Sequence, residues 1–397
     1  MRRLFGIFAI AVFAVPALAQ TAAGSMVPAP DITTAPAPQV EMPAPVWSAE
    51  QAMQLALWLD GASREGLPDM SAAARALRDT ISGGDDIRIS EVASVSAARL
   101  LELHRNGAHN GQRRAFGITG DSFGPAADAV AAAISLDRVN ELFVAAVPTH
   151  PNYIALRNLL ATEADAARLE SIRLNMDRWR WMPRNLGQRY LLVNIPSFEV
   201  TLWQDGRQID RWRTVVGRTT TQTNGFSATV TGVILNPWWE IPTSIANEGV
   251  AARVRANPAR EAARGFVFQD GRYRQRPGAS NSLGRMKLVM PNGHAIFLHD
   301  TPSQSLFANP VRAYSHGCVR VNQALDFATA LLSAREGWTR ATTDAAVASG
   351  RTQTVDLPAP IPVYISYFTI APFAAASGAN ELRSFPDVYG RDRAGAR

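Results

Sequence analysis

Two periodicities divide the chain. From Trp47 to about Arg180 apolar residues recur at three- and four-residue spacing, and after Pro183 they alternate or run in short blocks. In the first region Ser48-x-x-Gln51 reads as a capping box ahead of Ala52, Leu55, Ala56 and Leu59. A second helix is expected from near Ser90 to just before Gly107, with Val92, Val95, Leu100 and Leu103 inward. A third, alanine-rich helix follows Gly124-Pro125, and Ser135 is placed to cap the next, with Val139, Leu142 and Phe143 inward. Pro151 opens a last long helix through Tyr153, Leu156, Leu159 and Leu160 to Trp179. In the second region strands are expected at Tyr190–Asn194, Phe198–Gln204, Gln208–Val216, Thr229–Leu235, Met286–Met290, His294–Leu298 and Pro362–Tyr367. Asp205-Gly206 is a hairpin turn, Pro291-Asn292-Gly293 is another turn, and Gln323–Leu332 is a helix. The fold class is therefore α+β, a helical scaffold followed by a mostly-β domain. The stretch 242–284 interrupts that domain as mixed helix and loop.

The ends of the chain have a different character. Arg2 and Arg3, the apolar run Leu4–Val15 and Ala17-Leu18-Ala19 form a secretory signal pattern, too short to span a bilayer. Export to the periplasm is the expectation, with no transmembrane segment in the mature chain. The Pro/Ala-rich stretch to about Val46 cannot bury a core and reads as an extended linker. The expected divisions are 1–19 signal, 20–46 linker, 47–185 scaffold, 186–372 mostly-β domain and 373–397 C-terminal extension.

Composition excludes more than it identifies. A net charge of +6, or +4 without Arg2 and Arg3, is dispersed rather than gathered in a stripe, so nucleic acid is not an expected partner. One cysteine and scattered histidines give no metal-ligand spacing, and no cofactor is expected. His104, His109 and His150 read as surface or capping histidines.

The chemistry gathers in one stretch. Cys318 is the only cysteine of 397 residues, preceded by Ser315, His316 and Gly317, with His299 upstream and Arg320 just beyond. An exported chain with one cysteine cannot use it for an internal disulfide, which leaves a reactive thiol or an intermolecular bridge. A thiol becomes a nucleophile as thiolate, so a histidine base or a nearby cation is what the site requires. Gly317 lets the chain turn so that backbone N–H groups can form an oxyanion hole. Asp300 follows His299, and alternation turns its side chain away, so a backbone carbonyl is a candidate to orient the histidine.

These residues resemble the L,D-transpeptidases of the YkuD type, and in particular the larger subgroup represented by YcbB. His299, a fifteen-residue gap and Ser315-His316-Gly317-Cys318 fit the family's core motif. Flanking blocks also fit: Ile172–Trp181, Val193–Phe198, Leu235–Pro242, Gln275–Gly284, Pro360–Tyr367 and Phe385–Asp392. The resemblance implies that Cys318 attacks a peptidoglycan tetrapeptide stem and releases D-alanine. The thioester then passes to the amine of a neighbouring stem as a 3→3 crosslink. It implies His299 as general base and acid, Gly317 as oxyanion-hole backbone and His316 on the oxyanion or acceptor side. Arg320, Ser315, Tyr314, Trp239 and Asn322 are the substrate-binding candidates, Ser315 and Asn322 chiefly as braces of the loop. It further implies a lid over the site at 242–284, acylation by carbapenems, and peptidoglycan stems and cell-wall synthesis proteins as partners. Leu160 runs almost directly into Ile172, so the subgroup's peptidoglycan-binding module is not expected, and Thr223-Asn224-Gly225 stands where Thr-Pro is usual. An L,D-carboxypeptidase or endopeptidase of the same fold, or a silent wall-binding scaffold, are the alternatives.

Overall fold

Ser48 caps the first helix with both bonds of the box, its hydroxyl accepting from the Gln51 N–H and the Gln51 side chain accepting from the Ser48 N–H. The computed structural model describes residues 46–374 and 380–393; the signal and nearly all of the linker expected from sequence lie outside them. Eight helices build the N-terminal region: α1 (Ala49–Gly61), α2 (Ser71–Gly83), α3 (Asp86–Asn106), α4 (Asn110–Phe116), α5 (Ala126–Ser135), α6 (Val139–Ala146), α7 (Pro151–Leu160) and α8 (Ala166–Arg180). The buried faces of α1, α2, α3, α5 and α6 meet in a core of Trp47, Leu55, Leu59, Leu77, Leu100 and Phe143, while Phe116 of α4, Tyr153 and Leu156 of α7 and Ile172 and Trp179 of α8 join the core of the sheet.

Several helical details differ from the sequence reading. Helix α3 begins at Asp86, capped by the Asp85 carboxylate; Leu100 and Leu103 are buried and Val92 partly buried as expected, but the inward line also takes in Ile89, Ala93, Ala97 and Leu101 and leaves Val95 exposed. The true line follows the small alanines that let α3 approach its neighbours, a signal weaker than that of valine. Ser135 ends α5 instead of capping α6. The long helix expected from Pro151 is broken, because the Asp165 side chain caps a new helix by accepting the Arg168 N–H.

The β region is a mixed nine-stranded sheet. In chain order the strands are β1 (Arg189–Asn194), β2 (Glu199–Gln204), β3 (Arg207–Gly217), β4 (Phe226–Leu235), β5 (Trp239–Glu240), β6 (Phe266–Gln269), β7 (Arg272–Gln275), β8 (Met286–Val289), β9 (Leu298–His299), β10 (Ala313–Ser315), β11 (Val319–Val321), β12 (Gln353–Ser366), β13 (Ile370–Ala374) and β14 (Asn380–Ser384). The large sheet runs β10-β3-β11-β9-β8-β4-β12-β1-β2, and pairing of β2 with β3 closes it into a ring. The β2–β3 hairpin turns at Asp205-Gly206, both at positive φ, as the sequence predicts. Between β5 and β6 lie α9 (Thr243–Ile245), α10 (Ala251–Ala256) and α11 (Pro258–Ala263); α12 (Ala324–Leu332) and α13 (Arg340–Ala348) follow β11.

Alternation gives the ring two faces. Trp212, Val319, Val321, Leu298 and Leu288 share a core with Phe327, Ala328, Leu331 and Leu332 of α12. The other face is partly covered by α7 and α8, where Trp179 stacks between His150 (4.0 Å) and Phe368 (4.6 Å). Asp177 ties the helical region to this junction. Its carboxylate accepts from the N–H groups of Ala108 (2.8 Å) and His109 (3.1 Å) and from buried Arg180 (2.9 Å). Gly107, at φ +74°, leaves room for it, since a Cβ there would fall 2.2 Å from the Asp177 carboxyl carbon.

The insertion at 242–284 contains more sheet than expected. Its hairpin β6–β7 joins β5 in a separate three-stranded sheet, and Ile241, Val250, Val254 and Phe266 give it a core of its own.

Candidate active site

The site is assembled by three short strands. Parallel pairing sets Arg320 of β11 against His299 of β9, and antiparallel pairing sets Lys287 of β8 against the same His299. Paired residues share a face, and residues two apart on one strand do too. Lys287, His299, Arg320 and Cys318 therefore stand together on the face opposite α12. His299 was expected just past a strand end; it is instead the last residue of β9. The strand expected at 294–298 is reduced to Leu298–His299, because Asn292 braces a turn in its place. The Asn292 side chain accepts from the N–H of His294 and donates to the carbonyls of Met290 and Ile296. That turn holds Ala295 at φ +52°, a conformation L-residues seldom adopt.

His299 is buried, and its Nδ1 lies 2.5 Å from the Asp300 carbonyl oxygen. An Nδ1–H donated there leaves Nε2 with its lone pair as the basic atom. The backbone carbonyl is thus the orienting group, and the Asp300 carboxylate turns away to accept the Arg285 N–H at 2.8 Å. Burial first, then the charge of Arg320, pushes His299 down to about 3, so the ring is neutral at physiological pH. Burial likewise raises the Cys318 thiol, opposed by the Phe297 backbone and the cations Lys287 and Arg320. The resting pair is therefore a thiol and a neutral imidazole. No hydrogen bond joins them; Sγ faces the Ala295 carbonyl at 3.8 Å.

Lys287 was not a sequence candidate. Its Nζ sits 3.7 Å from the centre of the Phe297 ring, partly desolvated, and burial lowers its proton affinity. Lysine at an inner strand position between Met286 and Leu288 was the available signal.

The Ser-His-Gly-Cys loop is braced from several sides. Ser315 is buried; its hydroxyl donates to the Cys318 carbonyl (2.5 Å) and accepts the Gly317 N–H (3.1 Å). Both hydrogen bonds of the buried Ser315 hydroxyl thus lie within the loop. Gly317 differs from expectation: its φ of +115° makes the turn, but its N–H is taken by Ser315. Among the described residues the Cys318 N–H has no protein partner, and it is the donor left for an oxyanion. Thr223 donates to the Gly317 carbonyl at 2.8 Å and accepts from Gly217 at 2.8 Å. Tyr389 of the C-terminal segment donates to the Gly217 carbonyl at 2.7 Å. The Thr223-Asn224-Gly225 departure thus retains a threonine that holds the loop.

The remaining candidates separate. His316 Nε2 lies 2.7 Å from Glu248 of the insertion, so its ring contacts the lid-like element rather than Cys318. Trp239 is partly buried and packs on the insertion's own core. Tyr314 is exposed, and its hydroxyl accepts from Asn309 (3.0 Å). Asn322 lines a cleft with Arg213 and Arg312 that does not include Cys318 or His299. Of the other histidines, His150 caps α7 as expected, but His104 is fully buried with neither ring nitrogen hydrogen-bonded.

Comparison with known proteins gives this geometry a class. Residues 188–358 match the YkuD family, described as the L,D-transpeptidase catalytic domain. A Haemophilus influenzae protein named "Putative L,D-transpeptidase" is 29% identical over 279 residues, which is 65% of this chain and 54% of that protein. The chain thus spans about half the length of the curated relative it matches. Solved structures with a likeness include an L,D-transpeptidase from Mycobacterium smegmatis (13% identity, 44% of this chain and 58% of that one, TM-score 0.25). L,D-transpeptidase 3 from Mycobacterium tuberculosis with a faropenem-derived adduct is another (13% identity, 45% and 60%, TM-score 0.24). The fold is an N-terminal helical region followed by a mostly-β domain, and the match to the YkuD family falls on that second part.

Proposed function

We propose that the protein is a peptidoglycan L,D-transpeptidase that forms 3→3 crosslinks through a thioester on Cys318, and that it belongs with the YcbB-like subgroup. The observation that carries this reading is the meeting of Cys318, neutral His299, and the cations Lys287 and Arg320 on one sheet face, with the Cys318 N–H unpaired. In the first half-reaction Sγ rotates from the Ala295 carbonyl toward His299, which takes the thiol proton on Nε2. Sulfur bonds to the carbonyl carbon of the donor stem's third residue, and the developing oxyanion meets the Cys318 N–H. The bond to D-alanine breaks, its amine leaving with the proton from His299. In the second half the side-chain amine of a neighbouring stem attacks the thioester, His299 removes its proton, and Cys318 leaves as thiolate and then takes that proton from His299, restoring the thiol and the neutral imidazole. Lys287 and Arg320 stabilise the thiolate at both ends of the cycle by charge.

The insertion, joined to the loop through Glu248 and His316, serves as a lid that shields the thioester from water. The chain is read as exported to the periplasm by its first nineteen residues, and no described helix is long and apolar enough to cross a membrane. Carbapenems are expected to acylate Cys318.

Mass spectrometry of products from disaccharide-tetrapeptide tests the reading. A 3→3 dimer with free D-alanine is expected from the mature chain and none from Cys318→Ala. Tripeptide without dimer would convert the reading to an L,D-carboxypeptidase, and no product from either chain would sink both.

A further inference from the structure

A second feature of the catalytic face lies outside the chemistry above. In the β3–β11 ladder Val215 pairs with Arg320, and Asn322 continues the ladder by donating its N–H to the Arg213 carbonyl at 2.9 Å. Arg213 in turn pairs with Glu199 of β2. Alternation therefore carries the face that holds Cys318 and Arg320 onward to Asn322, Arg213 and Glu199. At about 3.3 Å per residue this second group lies roughly 13 Å from Cys318 along the strand.

These residues line a cleft of about 670 Å³ with Arg211, Arg312 and the ring of Phe373. Three guanidinium groups share the cleft with one carboxylate, that of Glu199. Glu199 is buried and lies 3.8 Å from Arg211. Arg312 is fixed in place: its Nε donates to the Thr214 carbonyl (3.0 Å), Nη1 to Asn309 (3.0 Å) and Nη2 to Phe198 (3.0 Å), all backbone oxygens. It carries its charge into the cleft without an acid bound to it. Arg213 is exposed and no acidic side chain among the described residues forms an ion pair with it; burial lowers the proton affinity of Arg312, the charge of Arg213 adds to that, and Glu199 opposes it. Two like charges held side by side favour an anion between them. Gln323 precedes α12 at φ +49° without a side-chain cap, so the positive end of that helix opens at the same cleft.

We propose that this cleft binds the free carboxylates of a second peptide chain, laid across the same face as the chain that reaches Cys318; the proposal rests on the transpeptidase reading. Guanidinium forks match carboxylates in geometry, and Phe373 offers an apolar wall to the peptide between them. The distance to Cys318 is that of a few extended residues, so a stem held at the arginines keeps a neighbour within reach of the thioester. Such a subsite would supply on the catalytic domain the substrate anchoring that a separate wall-binding module would otherwise give.

The test is calorimetric titration of the full chain carrying Cys318→Ser with a stem tripeptide, and with the same peptide after conversion of its carboxylates to carboxamides. Arg213→Glu is expected to weaken the free-acid peptide roughly tenfold or more. The amidated peptide should bind weakly and ignore the substitution. Arg213→Gln, which removes the charge alone, should fall between, with an unchanged melting temperature. An unchanged Kd in Arg213→Glu overturns the proposal, as does inorganic phosphate binding as tightly as the tripeptide. Formation of the 3→3 dimer by the Cys318-intact chain is measured separately. Arg213-dependent binding without dimer would retain the cleft and sink the transpeptidase, and dimer with Arg213-independent binding would do the reverse.

Discussion

Cys318 and His299 are both shifted toward their uncharged forms, and this has a direct kinetic consequence. With the thiol raised by burial and the imidazole held at about 3, the free enzyme stores no thiolate–imidazolium pair at neutral pH. Alkylation of Cys318 by iodoacetamide should therefore keep rising with pH beyond the ordinary thiol range near ~8.5. A plateau reached by neutral pH would contradict this arrangement. Lys287 is the second lever at this scale. Its charge opposes the upward shift of the thiol, and Lys287→Met should slow alkylation at pH 8 roughly tenfold. Unchanged alkylation would show that Arg320 alone supplies the field. His299 and Cys318 were legible in the sequence because their spacing is a motif. Lys287 was not, because its role arises only from pairing across β8 and β9.

The loop Ser315–Cys318 has few contacts of its own and is fixed by neighbouring elements. Thr223 bridges the Gly317 carbonyl and the Gly217 N–H, while Tyr389 reaches the Gly217 carbonyl and the Thr223 N–H. Thr223→Val keeps the shape and leaves the Gly217 N–H and Gly317 carbonyl without that bridge. A loss of about 1–3 kcal/mol in stability is expected from those buried groups. In product assays kcat should fall more than KM rises if Cys318 is the nucleophile as proposed, because the loop positions that thiol and its N–H. A KM effect alone would mean that the loop contacts substrate directly. Element boundaries followed the same logic. Asp205-Gly206 turned as its local chemistry demands, whereas the strand expected at 294–298 gave way to a turn built by the Asn292 side chain.

At the scale of the molecule, three histidines are held in uncharged form at about 3 chiefly by loss of solvent: His104 and His299, which are buried, and His150, which is half-buried. An unfolded chain protonates them below ~6.5, while the folded one does not until much lower pH. Stability is therefore full above ~6.5 and lost as pH falls toward 3, by about 1.4 kcal/mol per pH unit for each histidine that differs. His104 has neither ring nitrogen hydrogen-bonded and contributes nothing to the proposed chemistry, so His104→Leu should flatten the fall in melting temperature between pH 6.5 and 4.5. An identical slope in the variant would place the acid sensitivity elsewhere. The junction between the helical region and the sheet depends on Asp177 in the same global sense. Asp177→Ala leaves Arg180 charged, buried and without its carboxylate, at a cost of roughly 3–5 kcal/mol measurable by denaturant unfolding.

Sequence by itself determined the local and the chemical. Apolar periodicity separated a helical region from a β region, the capping box and the Asp205-Gly206 turn set particular ends, and one cysteine with an upstream histidine marked the candidate site. These are properties of neighbouring residues, and short-range sterics and hydrogen bonds suffice to write them. The tertiary structure decided what depends on register between distant strands. It placed Lys287 beside His299, gave the Gly317 N–H to Ser315 and left that of Cys318 unpaired, buried His104, and gathered Arg211, Arg213 and Arg312 around one cleft. Registers of this kind follow from closing a ring of strands drawn from residues 189 to 366 around α12, a choice that no local window of the chain contains.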